Sequence, residues 1–315
     1  MSPYKVLVST KDLDRHEWLK YRRQGIGGSD AAAICGLSPY SSAFQVYLDK
    51  IGEAPEKEDS ECMRQGRDLE AYVASRFEEK EGLKTRRKNA MLQSIEHPFM
   101  LADVDRLIEG KNEGLECKTT SIFNNGALED GVIPTQYQMQ CHHYMAVTGA
   151  DAWWLAVLVL NKAFYTFRIE RDEEIIDNLV AIEKRFWEEN VLAKSMPVPD
   201  GSKEAGNLIK NMFGEPSDEV LDLSSTYDSD LDRYQEVSEL IKGLETEKET
   251  IKQRLQLQMG NSSKAMTSRY IVSCSKYQRE SLDSKSLKAE HPDIYSKYLK
   301  TSDTQRFSIK LNGGI

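Results

Sequence analysis

Asp105, Glu116 and Lys118 form a D-x(10)-E-x-K pattern inside the stretch M-L-A-D-V-D-R-L-I-E-G-K-N-E-G-L-E-C-K-T-T, residues 100–120. Carboxylate oxygens suit a hard cation such as Mg²⁺, which keeps several waters and takes one or two protein carboxylates beside substrate phosphate. A neighbouring ammonium can hold the attacking water and offset the negative charge that builds on a phosphorane. The three residues therefore point to metal-assisted hydrolysis of a phosphate ester. They fit equally a surface hairpin whose solvated ion pairs contribute little.

The elements that must position them are two strands. Alternation puts Leu101, Asp103, Asp105 and Leu107 on one face and Ala102, Val104, Arg106 and Ile108 on the other. Residues 109–114 read as a turn-rich connector, and Leu115 to Thr119 as a second strand with Glu116 and Lys118 on one side and Cys117 on the other. Such a hairpin brings Asp105 close to Glu116 and Lys118.

Four further segments carry polar groups at helical spacing. Asp14 with Glu17 reads as a capping box ahead of Trp18 and Tyr21. The run Gly25-Ile-Gly-Gly-Ser29-Asp30 leads into an alanine-rich turn, where Ser29 at a helix start with Arg22 or Arg23 alongside can hold a phosphate; the plainer reading is a loop capped by Ser29 or Asp30. Glu70 shares a helix face with Val73 and Phe77, so its carboxylate needs a partner, either metal or Arg64 or Arg67. Between Pro134 and Gly149, a helix from Thr135 to Thr148 places Tyr137, Gln140 and Tyr144 on one face, while the adjacent His142 and His143 diverge and read as ordinary. Residues 83–88, L-K-T-R-R-K, are either a solvated basic loop or a contact to a phosphate backbone.

Of the 315 residues, 39% are hydrophobic and 30% charged, as in an ordinary soluble protein. The longest apolar run, Ala152 to Leu160, suits a buried strand, and the first ten residues lack the apolar segment of a secretory signal. Five cysteines scattered singly favour free thiols and argue against a zinc or iron–sulfur centre. A net charge of −9 speaks against a general nucleic-acid coat protein but does not exclude a local basic channel. Ala163 to Glu170 completes a second hairpin, Asp172 to Ala193 an amphipathic helix, and residues 197–201 close a first domain of residues 1–200. Within 201–315, Tyr234, Val237, Ile241, Leu244, Ile251 and Leu255 recur at three- and four-residue steps over 226–259, broken by Lys248, as in a helix that pairs with another. Residues 264–277 and 305–311 read as strands around a helical 282–298; this extension suits an oligomerisation or partner surface, a DNA-gripping arm, or scaffold.

With those residues laid out, the first 200 positions resemble the YqaJ family of viral recombinases, whose relatives include phage lambda exonuclease, and through it the PD-(D/E)XK nucleases. The likeness rests on W-L-K-Y-R-R-Q-G-I-G-G-S-D (18–30), R-Q-G-R-D-L-E (64–70), L-A-D-V-D-R-L (101–107), L-E-C-K-T (115–119) and Y-Q-M-Q (137–140), in that order. The resemblance implies Asp105 and Glu116 as metal ligands with Glu70 as the helix carboxylate, Lys118 as the catalytic lysine, Tyr137 and Gln140 as supporting residues, and Arg22 and Ser29 at the 5′-phosphate. It further implies 5′→3′ digestion of double-stranded DNA ends to leave a 3′ single strand, with Mg²⁺ or Mn²⁺ as cofactor. A ring-shaped homotrimer, a single-strand annealing protein as partner, and a phage or prophage gene product in the bacterial cytoplasm with no membrane attachment complete the picture. Val104 stands where the fold's name has proline, Asp103 is a rival or outer carboxylate, and residues beyond 200 have no counterpart in lambda-type enzymes.

The expected fold is α/β: a restriction-endonuclease-like PD-(D/E)XK core, a mixed central sheet flanked by helices, with a C-terminal helical and α+β extension. The expected activity is a metal-dependent 5′→3′ exonuclease. Alternatives are a structure-selective endonuclease of the same chemistry, an idle DNA-end-binding module, and a coiled-coil adaptor that would leave the first 200 residues unexplained.

Overall fold

A computed structural model describes residues 2–55, 59–121, 126–213, 220–300 and 307–309. The chain divides into two units, Met1–Pro216 and Ser217–Ile315. In order, the first holds β1 (Tyr4–Ser9), α1 (Arg15–Arg22), β2 (Ile26–Gly27), α2 (Gly28–Ile34), α3 (Ala43–Ile51), α4 (Glu61–Glu81), β3 (Thr85–Arg86), β4 (Ala90–Ser94) and β5 (Met100–Asp103). There follow β6 (Arg106–Ile108), β7 (Glu113–Thr120), α5 (Gly126–Glu129), α6 (Thr135–Thr148), β8 (Ala152–Val159), β9 (Ala163–Glu170), α7 (Glu173–Arg185), which runs on as a wider π-helical segment Phe186–Leu192, and α8 (Lys203–Phe213).

Strands β3-β6-β7-β8-β9 make one sheet and β1-β4-β5-β2 a second. Both are mixed: β7 runs parallel to β8 and β2 to β5, and the remaining neighbours are antiparallel. A parallel neighbour needs a crossover, and α6 makes it between β7 and β8. Because β8 is covered on both faces, it is apolar almost throughout. Trp153, Leu155, Val157 and Val159 cluster with Cys141 and Met145 of α6, whereas Ala156 packs with Val73, Ala74 and Phe77 of α4. A third cluster joins Ala33 of α2, Phe44 and Leu48 of α3, Phe186, and Leu208 of α8.

Helix limits follow their caps. Asp14 accepts from Glu17 N at 2.8 Å, Ser42 from Gln45 N, Ser60 from Met63 N, and Gly149 ends α6 in the left-handed conformation. The expected α/β core, a mixed sheet flanked by helices, is what the structure has.

One expectation is corrected. The strand from Leu101 to Ile108 breaks at Val104–Asp105, where the chain leaves the second sheet for the first. The alternation breaks with it, since Val104 and Leu107 pack in one cluster while Ile108 packs in another. The first compact unit takes in α8, whose Ala205 and Leu208 are buried against α3 and Phe186. Residues 282–298 are largely helical, as expected, in two short helices.

The second unit comprises a short turn Ser225–Tyr227, α9 (Asp228–Met259), the hairpin β10 (Lys264–Met266) and β11 (Ile271–Ser273), α10 (Ser284–Glu290) and α11 (Pro292–Tyr298). The repeating apolar side chains of α9 are exposed, from Tyr234 to Leu255. The expected strand at 305–311 lies largely outside the described residues, and 307–309 are not in a strand. No described helix is long and apolar enough to cross a membrane.

Candidate active site

The hairpin β6–β7 pairs Arg106 with Leu115, which sets Asp105 against Glu116. Asp105 Oδ2 accepts from Cys117 N at 2.8 Å, and Glu116 Oε1 lies 2.5 Å from Lys118 Nζ. The two-residue period of β7 holds: Leu115 and Cys117 face α4, while Glu116 faces Gln140 of α6. Burial pushes the Asp105 carboxyl up, and Glu116 beside it pushes further. Burial alone would discharge Lys118, yet Glu116 and Asp105 outweigh it and hold the ammonium charged.

Helix α6 supplies the next layer. Gln140 donates to Glu116 Oε1 at 2.7 Å and to the Tyr144 hydroxyl at 2.9 Å, and that hydroxyl donates to the Asp103 carbonyl at 3.3 Å. Lys118 Nζ lies 5.6 Å from the centre of the Tyr137 ring. His143 does more than ordinary packing: Nδ1 meets Glu183 at 2.8 Å and Nε2 meets the Leu101 carbonyl at 2.8 Å, with both side chains fully buried. That pair pins α6 to α7 and β5.

Glu70 projects inward from α4 as its spacing requires, but its partner is Arg106 of β6 at 2.5 Å, with Arg87 at 3.8 Å. Arg67 turns to Asp59 and Arg64 to Asp68, so neither expected arginine is used. Asp103 accepts from Trp18 Nε1 at 2.7 Å.

Arg22 and Ser29 do meet, with Nη2 donating to Oγ at 3.2 Å. The same guanidinium is ion-paired to Asp30 and, through Nη1 at 2.7 Å, to Asp49. Neither Ser29 nor Asp30 caps α2. Gly27 is the cap, and Asp30 reaches back to accept from Gly27 N at 3.0 Å.

A cavity of about 370 Å³ joins these groups, walled by Trp18, Arg22, Ser29, Glu70, Asp105 and Glu116 among others. Sequence reasoning passed over Arg106, Asp49 and Lys50. Arg106 was legible in principle as the cation inside L-A-D-V-D-R-L; the other two carry no local signal. Among the described residues no three His, Cys, Asp or Glu side chains are grouped to hold a metal. Two carboxylates do suffice for Mg²⁺, and Glu116 Oε2 is buried with no hydrogen-bond partner. A buried oxygen left bare beside a second carboxylate fits a cation at Asp105 and Glu116.

An antiparallel hairpin carrying Asp and Glu-x-Lys, followed by a helical crossover to a parallel strand, is the PD-(D/E)XK type of core. The model of the YqaJ-like viral recombinase domain matches residues 17–151. The Bacillus subtilis (strain 168) uncharacterized protein YqaJ is 36% identical over 309 residues, 97% of either chain. The chain belongs to the YqaJ-like viral recombinase family. Among solved structures, an alkaline exonuclease (LHK-Exo) from Laribacter hongkongensis is 19% identical, with 57% of this chain and 94% of that one covered and a TM-score of 0.48. A phage-related exonuclease from Haemophilus somnus 129PT is 14% identical, covering 54% and 96%, with a TM-score of 0.44.

Proposed function

We propose that this protein is a divalent-metal-dependent 5′→3′ exonuclease on double-stranded DNA ends, leaving a 3′ single strand for recombination by annealing. The observation that carries the reading is the pairing of Asp105 with Glu116, which keeps a buried oxygen without a hydrogen bond; both line, with Arg22 and Ser29, one cavity. Membership of the YqaJ-like viral recombinase family supports it.

Asp105 and Glu116 would hold the cation, Mg²⁺ or Mn²⁺, which when bound neutralises charge at the phosphodiester and acidifies a water. Gln140 fixes the Glu116 carboxylate from behind, and Tyr144 fixes Gln140. Lys118 places the attacking water and offsets charge on the phosphorane. Tyr137 confines the ammonium. Glu70, paired to Arg106, acts from an outer position. Arg22 and Ser29 receive the 5′-phosphate and so set polarity, and the exposed Lys84, Arg86 and Arg87 suit the phosphate backbone beyond. The same reading carries a homo-oligomer, a ring trimer by family resemblance, a single-strand annealing protein as partner, and a cytoplasmic site of action.

The test is digestion of linear duplex bearing a 5′-phosphate at one end, with Mg²⁺ and then with EDTA, beside a closed circle. Metal-dependent loss of the phosphorylated strand alone, with the circle intact, is expected. Nicking of the circle would make the protein an endonuclease, and no digestion a binding module. Lys118→Ala should abolish cleavage and spare DNA binding.

A further inference from the structure

Arg22 reaches the cavity with its guanidinium already bound by two carboxylates, and a neutralised guanidinium makes a poor anion receptor. What restores its capacity lies behind it. Lys50 Nζ, on a side chain with no solvent exposure, sits 2.7 Å from Asp30 Oδ2, 3.9 Å from Asp49 Oδ2, and donates to the Arg22 carbonyl at 3.2 Å. Asp30 is thereby shared between two cations. Arg22 and Lys50 balance Asp30 and Asp49 to a net charge of zero. Arg23 adds a third cation at the edge of the cluster: its buried Nε lies 3.7 Å from Asp49 Oδ1, while the side chain as a whole is 38% exposed. Only Arg22 of these five lines the cavity; Asp30, Asp49, Lys50 and Arg23 do not.

We propose that Lys50 and Asp49 set, from outside the cavity and in opposite directions, the affinity of the Arg22–Ser29 site for a terminal phosphate. Loss of Lys50 removes one positive charge from the cluster and weakens its hold on the phosphate. Loss of the Asp49 charge removes one negative charge and strengthens that hold. Both residues act through Arg22 and touch no DNA, so they are positioning residues that fix specificity for phosphorylated ends. The inference rests on the 5′-phosphate reading of Arg22 and Ser29.

The experiment measures, in EDTA so that nothing is cut, the affinity of the full chain for a hairpin duplex whose single open end bears a 5′-phosphate or a 5′-hydroxyl. Wild type prefers the phosphate. Lys50→Met lowers that preference by about tenfold and Asp49→Asn raises it by about tenfold, the scale of one unit charge at several ångströms in a protein interior. Affinity for the hydroxyl end changes little in either. A merely structural role would weaken both ends together. If Lys50→Met does not fold, Asp49→Asn, altered at a partly exposed side chain, decides alone: an unchanged or reduced preference overturns the proposal. Effects of the same sign in both variants overturn it too. A wild type without preference refutes the Arg22–Ser29 reading itself, and this inference falls with it.

Discussion

Gly28 opens α2 directly against the ring of Tyr144, and the contact leaves no space for a side chain. A Cβ there would stand 2.6 Å from Tyr144 Cε1 and 2.8 Å from Cζ, where ordinary contact starts at 3.4 Å. In Gly28→Ala the ring must therefore retreat by about 0.8 Å. It has little room, being 5% exposed and lying 5.2 Å, centre to centre, from the fully buried Trp153. The retreat carries the Tyr144 hydroxyl away from Gln140, now at 2.9 Å, and loosens the group that holds Glu116. Overpacking of this kind costs about 1–3 kcal/mol and the lost hydrogen bond about 1 kcal/mol, against a helix gain of about 0.5–1 kcal/mol for alanine over glycine. A net loss of about 2 kcal/mol follows. All four tryptophans, Trp18, Trp153, Trp154 and Trp187, belong to the first unit, so their fluorescence reports its unfolding by urea. The midpoint should fall by about 1 M at an m-value of about 2 kcal/mol/M, and nuclease activity should fall with it. An unchanged midpoint with full activity would show that α2 moves aside freely and that the ring of Tyr144 does not retreat, which would refute this reasoning.

Gln140→Leu removes a charge-assisted hydrogen bond worth about 1.5–3 kcal/mol, so the cleavage rate should drop by roughly 10- to 100-fold with DNA binding retained; a rate within twofold of wild type excludes that role. His143→Phe leaves Glu183 buried without its partner and should cost about 3–5 kcal/mol by denaturation, while adding Glu183→Met recovers most of the loss. Asp30 gives a pH signature. Burial would raise its pKa, but Arg22 and Lys50 outweigh burial and hold it well below the usual carboxylate range. A depressed folded pKa contributes stability that is complete above the unfolded value of 3.8 and drains away as pH falls below it. Acid titration of Asp30→Asn should show lower stability at pH 7 and a shallower decline below about pH 4 than wild type; parallel curves would count against the pair.

The local chemistry of the chain determined a good deal. Pro134 and Gly149 bound α6 because one cannot donate from its nitrogen and the other takes the left-handed turn at no steric cost, and the residues between them place Tyr137, Gln140 and Tyr144 together. The two-residue period of β7 put Glu116 and Lys118 on one side and Cys117 on the other, since strand side chains alternate whatever surrounds them. Helical periodicity likewise turns Glu70 toward the sheet, where it meets Arg106. Tertiary structure decided the partners. Arg106, not Arg64 or Arg67, meets Glu70, because the strand breaks at Val104–Asp105 and passes from one sheet to the other, which local alternation does not register. Asp49 and Lys50 reach Arg22 from a helix that begins twenty-one residues later in the chain, at Ala43, and Asp30 lies between two cations. Such pairing is set by how α1, α2 and α3 pack, and charges distant in sequence carry no periodic signal of whom they will face.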